Sequence, residues 1–230
     1  MFKLTSIRHA FVVVALTSTL AACAATTAQN SGFLSSYDGF RPGPEGGVER
    51  VWVNPEYAGD AALNAKLSAY THIIVDPVWV MFKNNEAYGG IDPSQLKLLA
   101  DDFQKKISGA VQARYRVAKD ASPKTLRISF GLTGVESPNR ALAAVSTVMP
   151  VGLAISFAKK YTLGEHSNVG SASMEVVISD SQSGETIFAA VDRRAGDKDL
   201  GTIKDPLNDA KEAFIWWAER LRKTLAKVSR

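Results

Sequence analysis

The residue types able to do chemistry are sparse in this 230-residue chain. Its one cysteine, Cys23, stands where the apolar run "AFVVVALTSTLAA" gives way to the small, polar "AATTAQNSG". A single thiol makes neither an internal disulfide nor a Cys-rich zinc site. Three histidines, His9, His72 and His166, leave little for a His-based metal site. Asp101 and Asp102 are paired carboxylates, but neighbours on a helix point about 100° apart and do not converge on one substrate atom. "Gly164-Glu165-His166-Ser167" puts an acid, an imidazole and a hydroxyl side by side. That reads as an exposed turn, because catalytic groups meet in space from separated positions. Asp192-Arg193-Arg194 and Asp197-Lys198-Asp199 read as local ion pairs and turn chemistry. No G-x-S-x-G elbow, P-loop, H-E-x-x-H or G-x-G-x-x-G occurs. The expectation is therefore no catalytic residue, no metal, no cofactor and no enzymatic activity. A hydrolase would need a nucleophile and base that the fold brings within hydrogen-bond reach.

Cys23 acquires a role from its flanks. Lys3 and Arg8 form a positive start, the apolar run has signal-peptide length, and small residues precede the cysteine. The run is shorter than the roughly 20 apolar residues of a transmembrane helix. "Leu20-Ala21-Ala22-Cys23" resembles the lipobox of bacterial lipoproteins. The resemblance implies cleavage after residue 22, diacylation of the Cys23 sulfur and acylation of the new amino group. One chain binds a bilayer only reversibly, with K of roughly 10⁴ M⁻¹, whereas two or three hold it effectively permanently. In the enterobacterial sorting rule an Asp after the cysteine retains a lipoprotein in the inner membrane. Ala24 stands there instead and implies the outer membrane, periplasmic face. The membrane, through the lipid anchor, is the first expected partner.

Formal charge is +4, and removing Lys3 and Arg8 leaves a mature chain of +2. The densest basic cluster is "RLRKTLAK" at the C-terminus, which reads as a solvated helix face. No nucleic-acid partner is expected. Residues 23–46 are rich in Ser, Thr, Gly and Pro and read as a tether, although Phe33, Leu34, Tyr37 and Phe40 suggest some packing onto the domain. Residues 47–230 read as one domain.

Within that domain "VERVWVNP" alternates and ends at Pro55, a short strand. "THIIVDPVWVMF" is β-branched and aromatic, a strand interrupted at Pro77, with Asp76 as a turn or bulge partner. The helix from Asp92 has a capping aspartate, Pro93 in the first turn and an apolar stripe at Leu96, Leu99, Phe103, Ile107, Ala110 and Val111. "KTLRISFGLTGVE" alternates as a half-buried strand. "SASMEVVISDSQSGETIFAAVDRR" reads as a hairpin around a turn at residues 180–184. Asp205 and Pro206 repeat the cap-plus-proline start before the stripe Leu207, Ala210, Phe214, Trp217, Leu221, Leu225 and Val228, with Trp216 off it. This order predicts an α+β fold: a mainly antiparallel sheet of about five strands with two long amphipathic helices on one face.

One stretch fits none of these elements. Residues 141–158, "ALAAVSTVMPVGLAISFA", carry no charge, and Pro150 and Gly152 divide them into halves too short to span a bilayer. They read as a buried helix or folded-back cover, or as an apolar surface for a partner or lipid.

The lipobox, "VWVNP", "IIVDPVWV", the helix from Asp92, "LRISFGLTGVE" and above all "ASMEVVISDSQSGETIFAAVDRRAG" together resemble the bacterial lipoprotein family named domain of unknown function 3313. The resemblance runs from about Phe33 to Arg230. It implies an envelope lipoprotein and assigns no catalytic residue. Two functions are expected: a non-enzymatic binding or scaffold subunit of the envelope, with an envelope protein as partner, or a carrier of an apolar ligand or lipid that uses 141–158 as cover.

Overall fold

The computed structural model describes residues 30–83, 91–133, 154–158, 171–195 and 207–229. Among these, nine strands form one sheet: β1 (Arg41–Pro42), β2 (Arg50–Val53), β3 (His72–Val75), β4 (Trp79–Lys83), β5 (Arg116–Val117), β6 (Thr125–Thr133), β7 (Ala154–Ala158), β8 (Ser171–Asp180) and β9 (Thr186–Ala195). Three α-helices accompany them: α1 (Asp60–Ser68), α2 (Pro93–Val111) and α3 (Asn208–Leu225). The main path of the sheet is β1-β2-β9-β8-β6-β3-β5, with β4 beside β6 and β7 beside β4.

The α+β class agrees with the sequence, but the sheet is larger and mixed rather than a mainly antiparallel one of about five strands. The run β1-β2-β9-β8-β6 is antiparallel, whereas β3 and β4 lie parallel to β6, β5 to β3 and β7 to β4. The reason is in the chain order. A strand, a 19-residue helix and a strand form a crossover, and a crossover of that length joins parallel neighbours.

The break at Pro77 turns one apolar run into two strands on the same side of β6. Residues 72–75 pair with 125–128, and 79–81 pair with 131–133. Between them the Asp76 carboxylate accepts from the Arg127 guanidinium at 2.6 Å and from the Ser129 hydroxyl, while its own N–H donates to the Ile128 carbonyl. The gap is thus pinned to the strand it interrupts.

Helix α2 starts as its sequence dictates: Asp92 accepts the Ser94 N–H at 2.8 Å, and hydrogen bonding from the Ser94 side chain, then from its N–H, holds its carboxyl below the ordinary range. The pair Asp205–Pro206 lies outside the described residues, and α3 is described from Asn208 with no side-chain cap. Both long helices pack on one face, through Leu96, Phe103, Ile107, Phe214 and Trp217 against Ile73, Ile128, Phe130 and Leu132. Phe103 sits at the centre, with ring centroids 4.6 Å from Phe214 and 5.2 Å from Phe130. Strand β6 alternates as expected at Leu126–Phe130, with Arg127 and Ser129 half-buried, but at Gly131 and Thr133 its far face is covered too.

That cover is the N-terminal segment. Phe33, Leu34, Tyr37 and Phe40 lie over Trp52, Val177, Ala189 and Val191. A Cβ on Gly131 would come within 2.6 Å of the Phe33 ring, so glycine is what lets the ring seat on β6. Glu175, fully buried on β8, accepts the Ser31 N–H at 2.6 Å, the Leu34 N–H at 3.3 Å and the Tyr37 hydroxyl at 2.6 Å. The stretch expected to be tether is therefore bound to the sheet from Ser31 onward.

Candidate functional site

Sheet and helix widths set where the site lies. Six strand spacings of about 4.8 Å make the main path ~29 Å wide, whereas two helices of about 10 Å diameter cover ~20 Å. Helix α2 packs towards β3, β4 and β5 and α3 packs against α2, β8 and β9. Among the described residues the β9–β2 end is left under-covered. There a cavity of about 590 Å³ opens between the sheet and the outer flank of α3. Its floor is apolar, from Phe130 of β6 through Met174 and Val176 of β8 to Ala190 of β9. Trp217 and Leu221 of α3 form one wall, and Leu63 of α1 and the 41–48 loop close the rest. The volume lies in the range of small-molecule sites, about 300–1,000 Å³.

An empty, sealed apolar void of this size is not sustainable. At about 24 cal/mol per Å³ it would cost ~14 kcal/mol, as much as the whole stability of a typical domain. The space must open to solvent or be filled. It does open: Arg41, Pro44, Asp60 and Thr224 on its lining are exposed. Four polar side chains belong to the lining, Arg41, Asp60, Arg220 and Thr224. Among the described residues neither Arg41 nor Arg220 has an ion pair or a side-chain hydrogen bond.

One wall is locked by the end of the hairpin. Asp192, 2% exposed, accepts the Trp217 indole N–H at 2.6 Å, the Glu49 N–H at 2.9 Å and the Arg194 Nε–H at 3.1 Å. Arg194 in turn lies 3.3 Å over the Trp216 ring and donates to the Gly47 carbonyl. One carboxylate and one guanidinium thus tie α3, β9 and residues 47–49, just before β2, together. Sequence reading saw the local pair Asp192–Arg194 but not its reach to Trp216 and Trp217, because nothing along the chain shows that a helix 25 residues on will return to it.

The other titratable groups are engaged in structure. Asp101 and Asp102 each pair one helical turn away, with Lys97 and Lys106, as a solvated face does. Lys66 donates to the Tyr57 hydroxyl at 2.8 Å and to Glu185 at 3.2 Å, and these bonds raise its pKa. A lysine held charged is the opposite of an amine nucleophile. Asp180 accepts the Gln182 and Ser183 N–H groups in the expected hairpin turn, where Gly184 has φ +74°, and also accepts the Tyr70 hydroxyl at 2.9 Å. Burial, then the bond to Asp180, pushes Tyr70 up to about 12. Among the described residues no cluster of three His, Cys, Asp or Glu side chains could hold a metal ion.

Cys23, residues 141–153, Gly164–Ser167 and Asp197–Asp199 lie outside the described residues. Residues 154–158 form β7, paired with β4. No helix of the described residues is long and apolar enough to cross a membrane.

A family model described as "Protein of unknown function (DUF3313)" matches residues 29–221. The chain belongs to the DUF3313 family. The match takes in every part of the cavity wall up to Leu221, including the hairpin with Asp192 and Arg194. No curated protein matches this DUF3313 chain in sequence. Solved structures resemble it distantly. A PelC dodecamer from Paraburkholderia phytofirmans is 10% identical, with 69% of this chain and 91% of that chain covered and a TM-score of 0.34. A DUF4136 family protein from Bacteroides thetaiotaomicron is 10% identical, covering 75% and 96%, with a TM-score of 0.34. A protein named "putative lipoprotein from Caulobacter crescentus CB15" is 11% identical, covering 73% and 96%, with a TM-score of 0.32. Scores this low carry no argument about function.

Proposed function

We propose that this DUF3313 protein is a non-enzymatic lipoprotein of the bacterial envelope, anchored through acylated Cys23, whose domain holds an apolar ligand between its sheet and α3. The observation that carries the reading is the apolar cavity of about 590 Å³ against β8 and β9. It favours the ligand-holding function over a purely scaffolding one. Among the described residues the cover is α3, α1 and the 41–48 loop. The leader, the lipobox at Cys23 and Ala24 support an outer-membrane, periplasm-facing position. Lys66, Asp180 and Asp192 are engaged by structural partners and hold elements of the fold together.

The anchor shapes how such a domain works. With Ser31 fixed to β8, only residues 23–30 remain between the acyl chains and the fold. A random-coil linker of eight residues has an r.m.s. reach of about 16 Å. The cavity then stays within a molecular diameter of a bilayer, where lipids are at high effective concentration.

Two experiments test this. Solvent extracts of the full-length protein purified from membranes should contain a non-covalent lipid, and extracts of Ala190→Phe, which fills the cavity floor, should lack it. Equal lipid in both, or none in either, overturns ligand holding. Palmitate should label wild type and not Cys23→Ser; equal labelling overturns the anchor.

A further inference from the structure

We infer that the ligand is an anionic single-chain amphiphile, its acyl chain lying over β8 and β9 and its acidic head held by Arg41 and Arg220. This rests on the ligand-holding function above and names its substrate class.

The cavity lining is apolar except at four side chains, and two of those are guanidinium groups from separate elements. Arg41 lies on β1, and Arg220 lies on α3 one helical turn from Trp217. An arginine beside apolar surface usually finds a carboxylate, since its five donors are costly to leave unmatched once water is displaced. Arg194, Arg127 and Arg222 each have one, in Asp192, Asp76 and Glu219. Arg41 and Arg220 have none among the described residues. Among the described residues Asp60 is the one carboxylate on the lining, so the cations outnumber it. Filling the cavity with an acyl chain would displace water from both arginines at once. A carboxylate or phosphate head at that end offers the planar, bidentate acceptor that a guanidinium matches. A neutral chain would displace water from the cavity side of both cations and give neither a partner.

The geometry also orders the two ends. Trp217 and Leu221 face the floor, whereas Thr224, the next turn of α3, is exposed. Arg41 is exposed and Arg220 half-buried. The head therefore sits at the solvent mouth and the tail runs inward over Val176 and Ala190.

The test uses the full chain carrying Cys23→Ser, which has no acyl chain of its own, with two probes: dansyl-labelled undecanoic acid and its methyl ester. The acid should bind at least about ten-fold tighter than the ester. Arg41→Gln and Arg220→Gln should each remove most of that difference. Both side chains reach solvent, so these variants keep the fold, which circular dichroism checks. Ala190→Phe should abolish binding of both probes. Equal binding of acid and ester by the Cys23→Ser chain, or full acid affinity in the Gln variants, overturns the anionic head while leaving the cavity's function intact. No binding of either probe by the Cys23→Ser chain overturns both.

Discussion

Replacing Asp192 should loosen α3 more than any other single change outside the apolar core. In Asp192→Ala three donors lose one acceptor: the Trp217 indole N–H, the Glu49 N–H and Arg194 Nε–H. The indole is the costly one, because Trp217 is 2% exposed and water cannot replace the partner. Hydrogen bonds to a charged group contribute about 1.5–3 kcal/mol, and orphaned buried donors cost about 1–3 kcal/mol. Removing one side of this node should therefore cost about 3–5 kcal/mol, the range for a broken buried pair. For a domain of this size that is a fall in Tm of roughly 6–20 °C. Urea unfolding would measure it, with an unchanged slope showing that the native and unfolded states keep their compactness. Trp217→Phe isolates the indole bond: it keeps a ring beside Phe103 and Phe214 and removes only the N–H donor and some area. The double-mutant cycle should give a coupling of about 1.5–3 kcal/mol. A coupling near zero, or a loss below about 1 kcal/mol for Asp192→Ala, would refute the claim that this carboxylate clamps α3 to the hairpin.

Other consequences follow from the far face. Gly131→Ala places a methyl within 2.6 Å of the Phe33 ring, and overpacking of this kind costs about 1–3 kcal/mol; chymotrypsin should then cut within 33–40, and adding Phe33→Ala should relieve the strain. Glu175→Ala strands the buried Ser31 and Leu34 N–H groups and should release the same segment, whereas Glu175→Gln, which can still accept, should do so less; equal protease resistance in all three proteins would contradict the latch. Burial pushes Tyr37 and Tyr115 up to about 12 from the ordinary 10, so the fold favours their neutral forms. Their stabilisation is complete below about pH 10 and is lost as the pH rises towards 12. A phenolate absorbance titration should show these two ionising with unfolding, and ionisation near 10 in an intact fold would contradict the burial.

What the sequence disclosed, and what it hid, divides by distance along the chain. Asp92 with Pro93, the hairpin turn at 180–184 and the stripes of α2 and α3 are written in contiguous residues, and the structure has them there. The break at Pro77 was legible too, because proline cannot donate to a ladder. Parallel pairing of β3 and β4 with β6 was not read, although the strand–helix–strand order contained it. The aromatic residues of 33–40 hinted that the tether packs, but not that a buried glutamate 141 residues away would hold Leu34. The cavity was the least legible feature. It arises from a mismatch between helix and sheet widths, and Arg41 and Arg220 share it only once the sheet is assembled. Arg220 sits at the margin of the stripe Trp217–Leu221, where an arginine ordinarily reads as solvated.

The most direct measurement is a crystal structure of the protein purified from its native membrane without added lipid. The account predicts one elongated, unbranched feature of electron density over Val176 and Ala190, beside Trp217 and Leu221, ending at the Arg41 and Arg220 side chains. Helix α3 resting on β9 with the cavity closed, or a cavity holding only water, would contradict it.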